Sequence, residues 1–141
     1  MSWQPYIDNN LVGTGKIAQA AIFGHDGGLW AKSPDFNVTK EEVLDIVKGF
    51  SDNSKLFAEG IRVGGTKFMI NQATDVFIFG KYKVPSEENK TTNSNPLKLS
   101  TLMCAKTSQG VIIAATDESV PAESARPIVE KLADYLISVK F

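Results

Sequence analysis

Two side chains in this sequence carry chemistry suited to acid–base or nucleophilic work, and neither has company. His25 is the single histidine and Cys104 the single cysteine. Catalysis of this kind needs a nucleophile with a base in reach, or two carboxylates whose pKa values are pushed apart. His25 falls in the turn-forming run His25-Asp26-Gly27-Gly28 and reads as a surface turn residue. Cys104 lies among Leu102, Met103 and Ala105, where a buried, inert thiol is expected because nothing beside it would stabilise a thiolate. No His/Cys/Asp/Glu group has metal-ligand spacing. Gly13-Thr14-Gly15-Lys16 and Gly64-Gly65-Thr66-Lys67 hint at phosphate loops, but neither matches a Walker A motif or a dinucleotide fingerprint, and both read as turns. The sequence predicts no enzyme, no metal site and no cofactor.

The aromatic residues point to binding. Trp3 and Tyr6 are three apart on a short N-terminal helix, so their rings share one face. A helix of that length is marginal in water unless it packs on something. Tyr135, Leu136 and Phe141 belong to the other end of the chain, and Trp30 to the first hairpin. The plain alternative is that all of these are core. Tryptophan and tyrosine, however, combine an apolar body with a hydrogen-bonding tip, which suits a surface groove. A polyproline II segment offers free carbonyls and flat pyrrolidine faces, and it has little entropy left to lose on binding. Aromatic rings match those faces while indole N–H and phenol O–H donate to the carbonyls.

The elements that would position these residues follow from periodicity. Trp3, Tyr6, Ile7 and Leu11 have helical spacing, with Ser2 as cap and Gly13 as stop. The run 16–24 is small, apolar and glycine-bounded, and reads as a buried strand returning through the His25–Gly28 turn to a strand at 29–31. Thr39-Lys40-Glu41-Glu42 is a capping box. Behind it Val43, Ile46, Val47 and Phe50 mark the apolar face of a helix ending near 51–53. Strands are predicted at 61–63, 67–71, 76–79, 97–105 and 111–116. Between them, 84–96 holds Pro, Ser, Glu, Asn, Lys and Thr with almost nothing to bury, and reads as a long mobile loop. The end is helical, with Ile128, Leu132, Tyr135, Leu136 and Val139 as its stripe; Pro127 either starts this helix or kinks one begun near Val120. The sum is an antiparallel α+β domain of six to seven strands spanning 1–141.

Bulk properties agree. A chain of 141 residues is sized for one domain. Its net charge of −1 gives no sign of a general nucleic-acid or membrane binder, so any basic surface would be a local patch. One cysteine and no signal-peptide pattern or apolar span suit a reducing, cytoplasmic compartment.

Four motifs, in order along nearly the whole chain, resemble those of the profilins. They are Trp3-Gln4-Pro5-Tyr6-Ile7-Asp8, Gly27-Gly28-Leu29-Trp30-Ala31, Gly64-Gly65-Thr66-Lys67-Phe68-Met69-Ile70, and the terminal run from Ile128-Val129-Glu130-Lys131 through Tyr135-Leu136-Ile137. The resemblance implies a central antiparallel sheet, with N- and C-terminal helices together on one face and further helices on the other. It implies a cytoplasmic, cytoskeletal adaptor, expected as a monomer. Such an adaptor binds monomeric actin, promotes its nucleotide exchange, binds proline-rich partners such as formins, and contacts phosphoinositides. Carried over by position, the polyproline groove would be Trp3, Tyr6, Trp30, Tyr135, Leu136 and Phe141. The actin-facing set would be Phe57, Lys67, Ile70, Gln72, Lys81, Val120, Glu123 and Arg126. Three departures bear on function, the first being the loop 84–96, which is longer than in most relatives and borders the side expected to face actin. Phe141 stands where many animal profilins end in tyrosine, removing a hydroxyl donor worth about 1 kcal/mol. Phe79-Gly80-Lys81 stands where plant and fungal members have R-G-K, leaving Lys81 and Lys83 in the phosphoinositide patch. The reading from another class is a small-molecule sensor or scaffold of PAS-like architecture, in which the aromatic rings would line an internal cavity.

Overall fold

Seven runs of alternating or continuously apolar residues become strands: β1 (Gln19–Gly24), β2 (Leu29–Lys32), β3 (Ile61–Val63), β4 (Thr66–Ala73), β5 (Phe77–Tyr82), β6 (Leu99–Lys106) and β7 (Gly110–Asp117). The computed structural model describes residues 4–33, 36, 38–52, 54–63, 66–82, 99–117 and 120–141, the side chains of Asn10 and Ala122 excepted. Ser2, Trp3, the Gly64-Gly65 turn, Lys83 and the loop 84–96 lie outside the described residues. The strands form one antiparallel sheet in the order β2-β1-β7-β6-β5-β4-β3. Hairpins account for β1–β2, β3–β4, β4–β5 and β6–β7. The pairing of β1 with β7, from Gln19↔Ala115 to Gly24↔Gly110, is the long-range step that brings the two ends of the chain together.

Because side chains alternate across a strand, each strand of a sheet covered on both faces feeds two cores. In β7, Val111, Ile113 and Ala115 join one cluster, and Ile112 and Ala114 the other. The first cluster is closed by Val43, Ile46 and Phe50 of helix α1 (Lys40–Ser51) and by Leu56 of α2 (Ser54–Glu59). The second is closed by Ile7 and Leu11 of the N-terminal segment and by Ala125, Val129, Leu132, Ala133 and Leu136 of α3 (Ala122–Ser138). The terminal helices share one face and α1 and α2 the other, as the family resemblance implied.

Helix α1 keeps its predicted start. Thr39 Oγ1 accepts from the Glu42 N–H at 3.2 Å, and the Thr39 N–H donates to Glu42 Oε1 at 2.9 Å, so both arms of the capping box are made. Thr39→Ala is expected to lower stability by about 1 kcal/mol, read as a lower urea midpoint at unchanged slope. An unchanged midpoint would mean that the cap contributes nothing. Past α1, Asp52 accepts from both the hydroxyl and the N–H of Ser54, and these bonds hold its carboxyl below its ordinary pKa. The short helix α2 that follows was not legible in the periodicity. Gly49 explains how the two helices close: a Cβ there would stand 2.6 Å from Leu56 Cδ1.

Both terminal helices depart from expectation. The N-terminal segment winds as a π-helical stretch over Tyr6–Leu11 and a 3-10 turn over Val12–Thr14. It stops at Gly15, with φ 79°, rather than at Gly13. Gly13 answers a different need, since a Cβ there would collide with the Asp8 carbonyl. Helix α3 begins at Ala122 after Pro121 and carries Pro127 inside it, so the reading in which the helix begins earlier holds. Its buried stripe runs through Ala125, Val129, Leu132, Ala133 and Leu136. Tyr135 and Val139, expected within the stripe, are exposed because they sit one step round the helix from it.

Candidate functional site

Where the chain ends meet, four aromatic side chains from three separate stretches form two contacting pairs. Tyr6 and Tyr135 lie with ring centroids 6.2 Å apart at 39°, and Trp30 and Phe141 with centroids 6.3 Å apart at 87°, edge to face. Tyr6, Trp30 and Phe141 rest on the same apolar cluster beneath, and Tyr135 stands at its open side against Tyr6. Tyr135 is 48% exposed, and Tyr6, Trp30 and Phe141 are partly exposed, so the rings face outward rather than into a cavity. A hydrogen bond with Tyr135 is the main cause holding the Tyr6 phenol above its ordinary pKa, with burial adding to it. That bond favours the protonated phenol. It is fully present below the ordinary tyrosine range and is lost only as pH rises through the raised value.

Local backbone chemistry aims each ring. The β1–β2 register runs Ile22↔Ala31 then Phe23↔Leu29 and skips Trp30, a bulge that swings the indole toward the α3 face. Two glycines paired across β1 and β7 make room for it. A Cβ on Gly24 would lie 3.2 Å from Trp30 Nε1, and one on Gly110 would lie 2.9 Å from Trp30 Cζ3. Gln4 Nε2 donates to the Lys32 carbonyl at 3.0 Å, which ties the N-terminal segment to β2. These positioning residues were missed from sequence. For the two glycines the available signal was their place at the ends of apolar strands, where a missing side chain can admit a large neighbour.

Of the six expected groove residues, the structure brings together Tyr6, Trp30, Tyr135 and Phe141. Trp3 lies outside the described residues. Leu136 must be moved: at 0% exposure it is part of the core, holding the helix down beneath the rings and presenting no surface to a ligand. The reason is geometric, since Leu136 continues the Val129–Leu132 side of α3 while its neighbour Tyr135 turns outward.

The eight residues of the second expected surface are spread more widely. Gln72, Lys81, Val120, Glu123 and Arg126 gather on the α3 side of the β4–β5 end of the sheet. There Arg126 Nη1 donates to Gln72 Oε1 at 3.2 Å, its Nε pairs with Glu130 at 2.6 Å, and its guanidinium lies 4.7 Å above the Phe77 ring. Arg126 thus fastens α3 to the sheet as well as lining the surface. Ile70 alternates with Phe68 toward the α1–α2 cluster, and Phe57 projects from α2 at 48% exposure, so these two stand on the other side of the sheet. Lys67 stands on β4 opposite Arg62 of the β3 edge, where a Cβ on Gly60 would lie 3.3 Å from its Cε. Of the two lysines expected at anionic lipid, Lys81 is exposed on β5 and Lys83 lies outside the described residues.

The two candidate catalytic groups are accounted for structurally. Cys104 is fully buried and burial pushes its thiol far up, away from thiolate. His25 is not a free turn residue. Its Nε2 lies 3.1 Å from the Thr107 carbonyl and 2.9 Å from the Gly110 carbonyl, so its ring N–H links the β1–β2 and β6–β7 turns. Among the described residues no group of acidic, histidine and cysteine side chains is placed to hold a metal, and no helix is long and apolar enough to cross a membrane.

Comparison with known proteins extends over the whole chain. The sequence model of the Profilin family matches residues 1–141. The profilin of Bombyx mori is 37% identical over 138 residues, covering 98% of each chain, and Profilin-2 of Acanthamoeba castellanii is 36% identical over 141 residues, covering all of both. The crystal structure of Acanthamoeba castellanii profilin II superposes with a TM-score of 0.85 at 35% identity, over 99% of this chain and 100% of that one. Mouse profilin IIa, solved in complex with a double repeat from the FH1 domain of mDia1, shares the fold at a TM-score of 0.78 and 20% identity, with both chains fully covered. By family match, by identity along its full length and by fold, the chain belongs to the profilin family.

Proposed function

We propose that this protein is a non-catalytic cytoplasmic adaptor of the actin cytoskeleton. In this reading it binds proline-rich peptides, formin-type segments among them, in the aromatic groove, and monomeric actin on the β4–β5 and α3 surface, modulating nucleotide exchange and assembly. The observation that carries it is the outward-facing contact of Tyr6 and Tyr135, side chains from opposite ends of the chain, 6.2 Å apart and beside the Trp30–Phe141 pair. Rings set at different angles around an open groove suit pyrrolidine faces, and the exposed Tyr135 hydroxyl is a donor suited to polyproline carbonyls. The mouse relative of the same fold, caught with an FH1 repeat, supports the same reading. For actin, an apolar centre with a charged rim supplied by Lys81, Glu123 and Arg126 is a composition suited to protein docking. Lys81 also faces the surface on which contact with phosphoinositide headgroups is proposed.

Titration with decaproline, followed by tryptophan fluorescence, tests the first half: a saturable change is expected and Trp3→Ala should abolish it. No response at millimolar peptide would remove peptide binding. Release of labelled nucleotide from actin monomers tests the second half. It is expected to accelerate with added protein, and an unchanged rate at saturation would remove that role.

A further inference from the structure

Helix α3 ends in a strained conformation that the β6–β7 turn holds. The Phe141 N–H reaches back to the Leu136 carbonyl at 2.8 Å and the Lys140 N–H to the Ile137 carbonyl at 3.0 Å, the two bonds of a Schellman motif. The left-handed residue such a motif requires is normally glycine; here it is Lys140, with φ 69°. A conformation of this kind persists where its surroundings over-determine it. The surroundings are the turn between β6 and β7. The Thr107 hydroxyl donates to the main-chain oxygen of Phe141 at 2.7 Å, and the Gln109 backbone N–H donates to the same oxygen. Gln109 Nε2 donates to the Lys140 carbonyl at 2.8 Å. The turn is itself braced. Thr107 Oγ1 accepts from the Gly110 N–H at 3.0 Å, the Thr107 N–H donates to the Gly110 carbonyl at 2.8 Å, and His25 spans both their carbonyls.

We propose that Thr107 and Gln109 are positioning residues of the groove, forming a socket that fixes the main chain at 140–141 and so sets the Phe141 ring edge-on against Trp30 before any peptide arrives. Neither side chain belongs to the aromatic lining. They act by removing freedom that binding would otherwise have to remove, which is how preorganisation raises affinity. The same turn serves both halves of the Trp30–Phe141 pair, because Gly110, whose missing side chain admits the indole, closes the hydrogen-bonded ring with Thr107. The proposal rests on the groove reading above.

The test compares Thr107→Val, which keeps the shape and loses the hydroxyl, with Thr107→Ser, which keeps the hydroxyl. Two quantities are read: decaproline affinity by calorimetry, and amide hydrogen exchange at Phe141 in the free protein. Thr107→Val is expected to bind roughly fivefold more weakly and to exchange the Phe141 amide at least about fivefold faster, while Thr107→Ser stays within about twofold of the parent in both. Wild-type affinity in Thr107→Val, or an unchanged Phe141 exchange rate, overturns the socket. Should Thr107→Val not fold, Gln109→Ala decides the matter from an exposed position: about twofold faster exchange at Phe141 is expected, and equality with the parent overturns the proposal. If the parent itself fails to bind decaproline, the groove reading falls, and the exchange measurement still judges the socket.

Discussion

Replacing Trp30 by alanine is expected to weaken decaproline binding by at least about 30-fold, the equivalent of about 2 kcal/mol, which is where buried tryptophan anchors of binding surfaces usually fall. The argument is local. The indole is partly exposed and half-buried against the edge of Phe141, so its flat face stays ordered while unbound. Its removal deletes a stacking surface, an N–H donor and the wall that holds Phe141. Trp30→Phe should separate these contributions: the ring survives in part, the donor is lost, and a drop of roughly fivefold is expected for one hydrogen bond. Binding is best followed by calorimetry, since the substitution removes one of the two tryptophans that would report it optically. Stimulation of nucleotide release from actin should be untouched, because Trp30 lies on β2 at one edge of the sheet and the strand residues of the proposed actin surface lie on β4 and β5 toward the other. A dissociation constant within threefold of the parent would show that the peptide does not use this ring.

How much of this could be read beforehand divides along physical lines. Signals carried by neighbours in sequence were legible. The capping box at Thr39–Glu42, the glycine turn after His25 and the apolar runs of β6 and β7 each appear where expected, because each is decided within a few residues. Signals that depend on packing were not. Leu136 and Tyr135 are adjacent, both apolar-bodied and both at plausible helical positions, and only the placement of α3 on the sheet decides that one is sealed and the other open. His25 has a turn residue's sequence context, yet its two carbonyl partners lie 82 and 85 positions away. The bulge at Trp30 leaves no mark in the hairpin's sequence, since it is a skip in the β1–β2 register that only the strand pairing shows. Helix α2 is six residues long, too short for its periodicity to show. The aromatic set itself was legible by chemistry, while the meeting of the chain ends was expected from the family resemblance.

The two surfaces have different physics, which makes them separable. The proposed groove would work by ring faces, donors and a fixed backbone, so salt should affect it little. The proposed actin surface has a charged rim, and charge acts through water as well as by contact.

Lys81→Glu is expected to raise the concentration of protein needed for half-maximal acceleration of actin nucleotide release by at least about tenfold, because a like charge placed against an acidic partner costs more than the loss of an attractive one. Lys81 is exposed on β5, opposite Met69 on one side and Thr101 on the other, so reversing its charge disturbs no core contact and stability should hold. The defect should narrow as ionic strength rises toward the regime where the screening length falls to roughly 3 Å, since an exposed pair loses its reach there. Lys81→Ala should give an intermediate loss with a shallower salt dependence than the parent. Decaproline affinity in both variants should equal that of the parent, which distinguishes a surface defect from general damage. A charge reversal that leaves the concentration dependence unchanged at low salt would remove Lys81 from the actin surface, and with it the argument that the exposed β5 face is where actin docks.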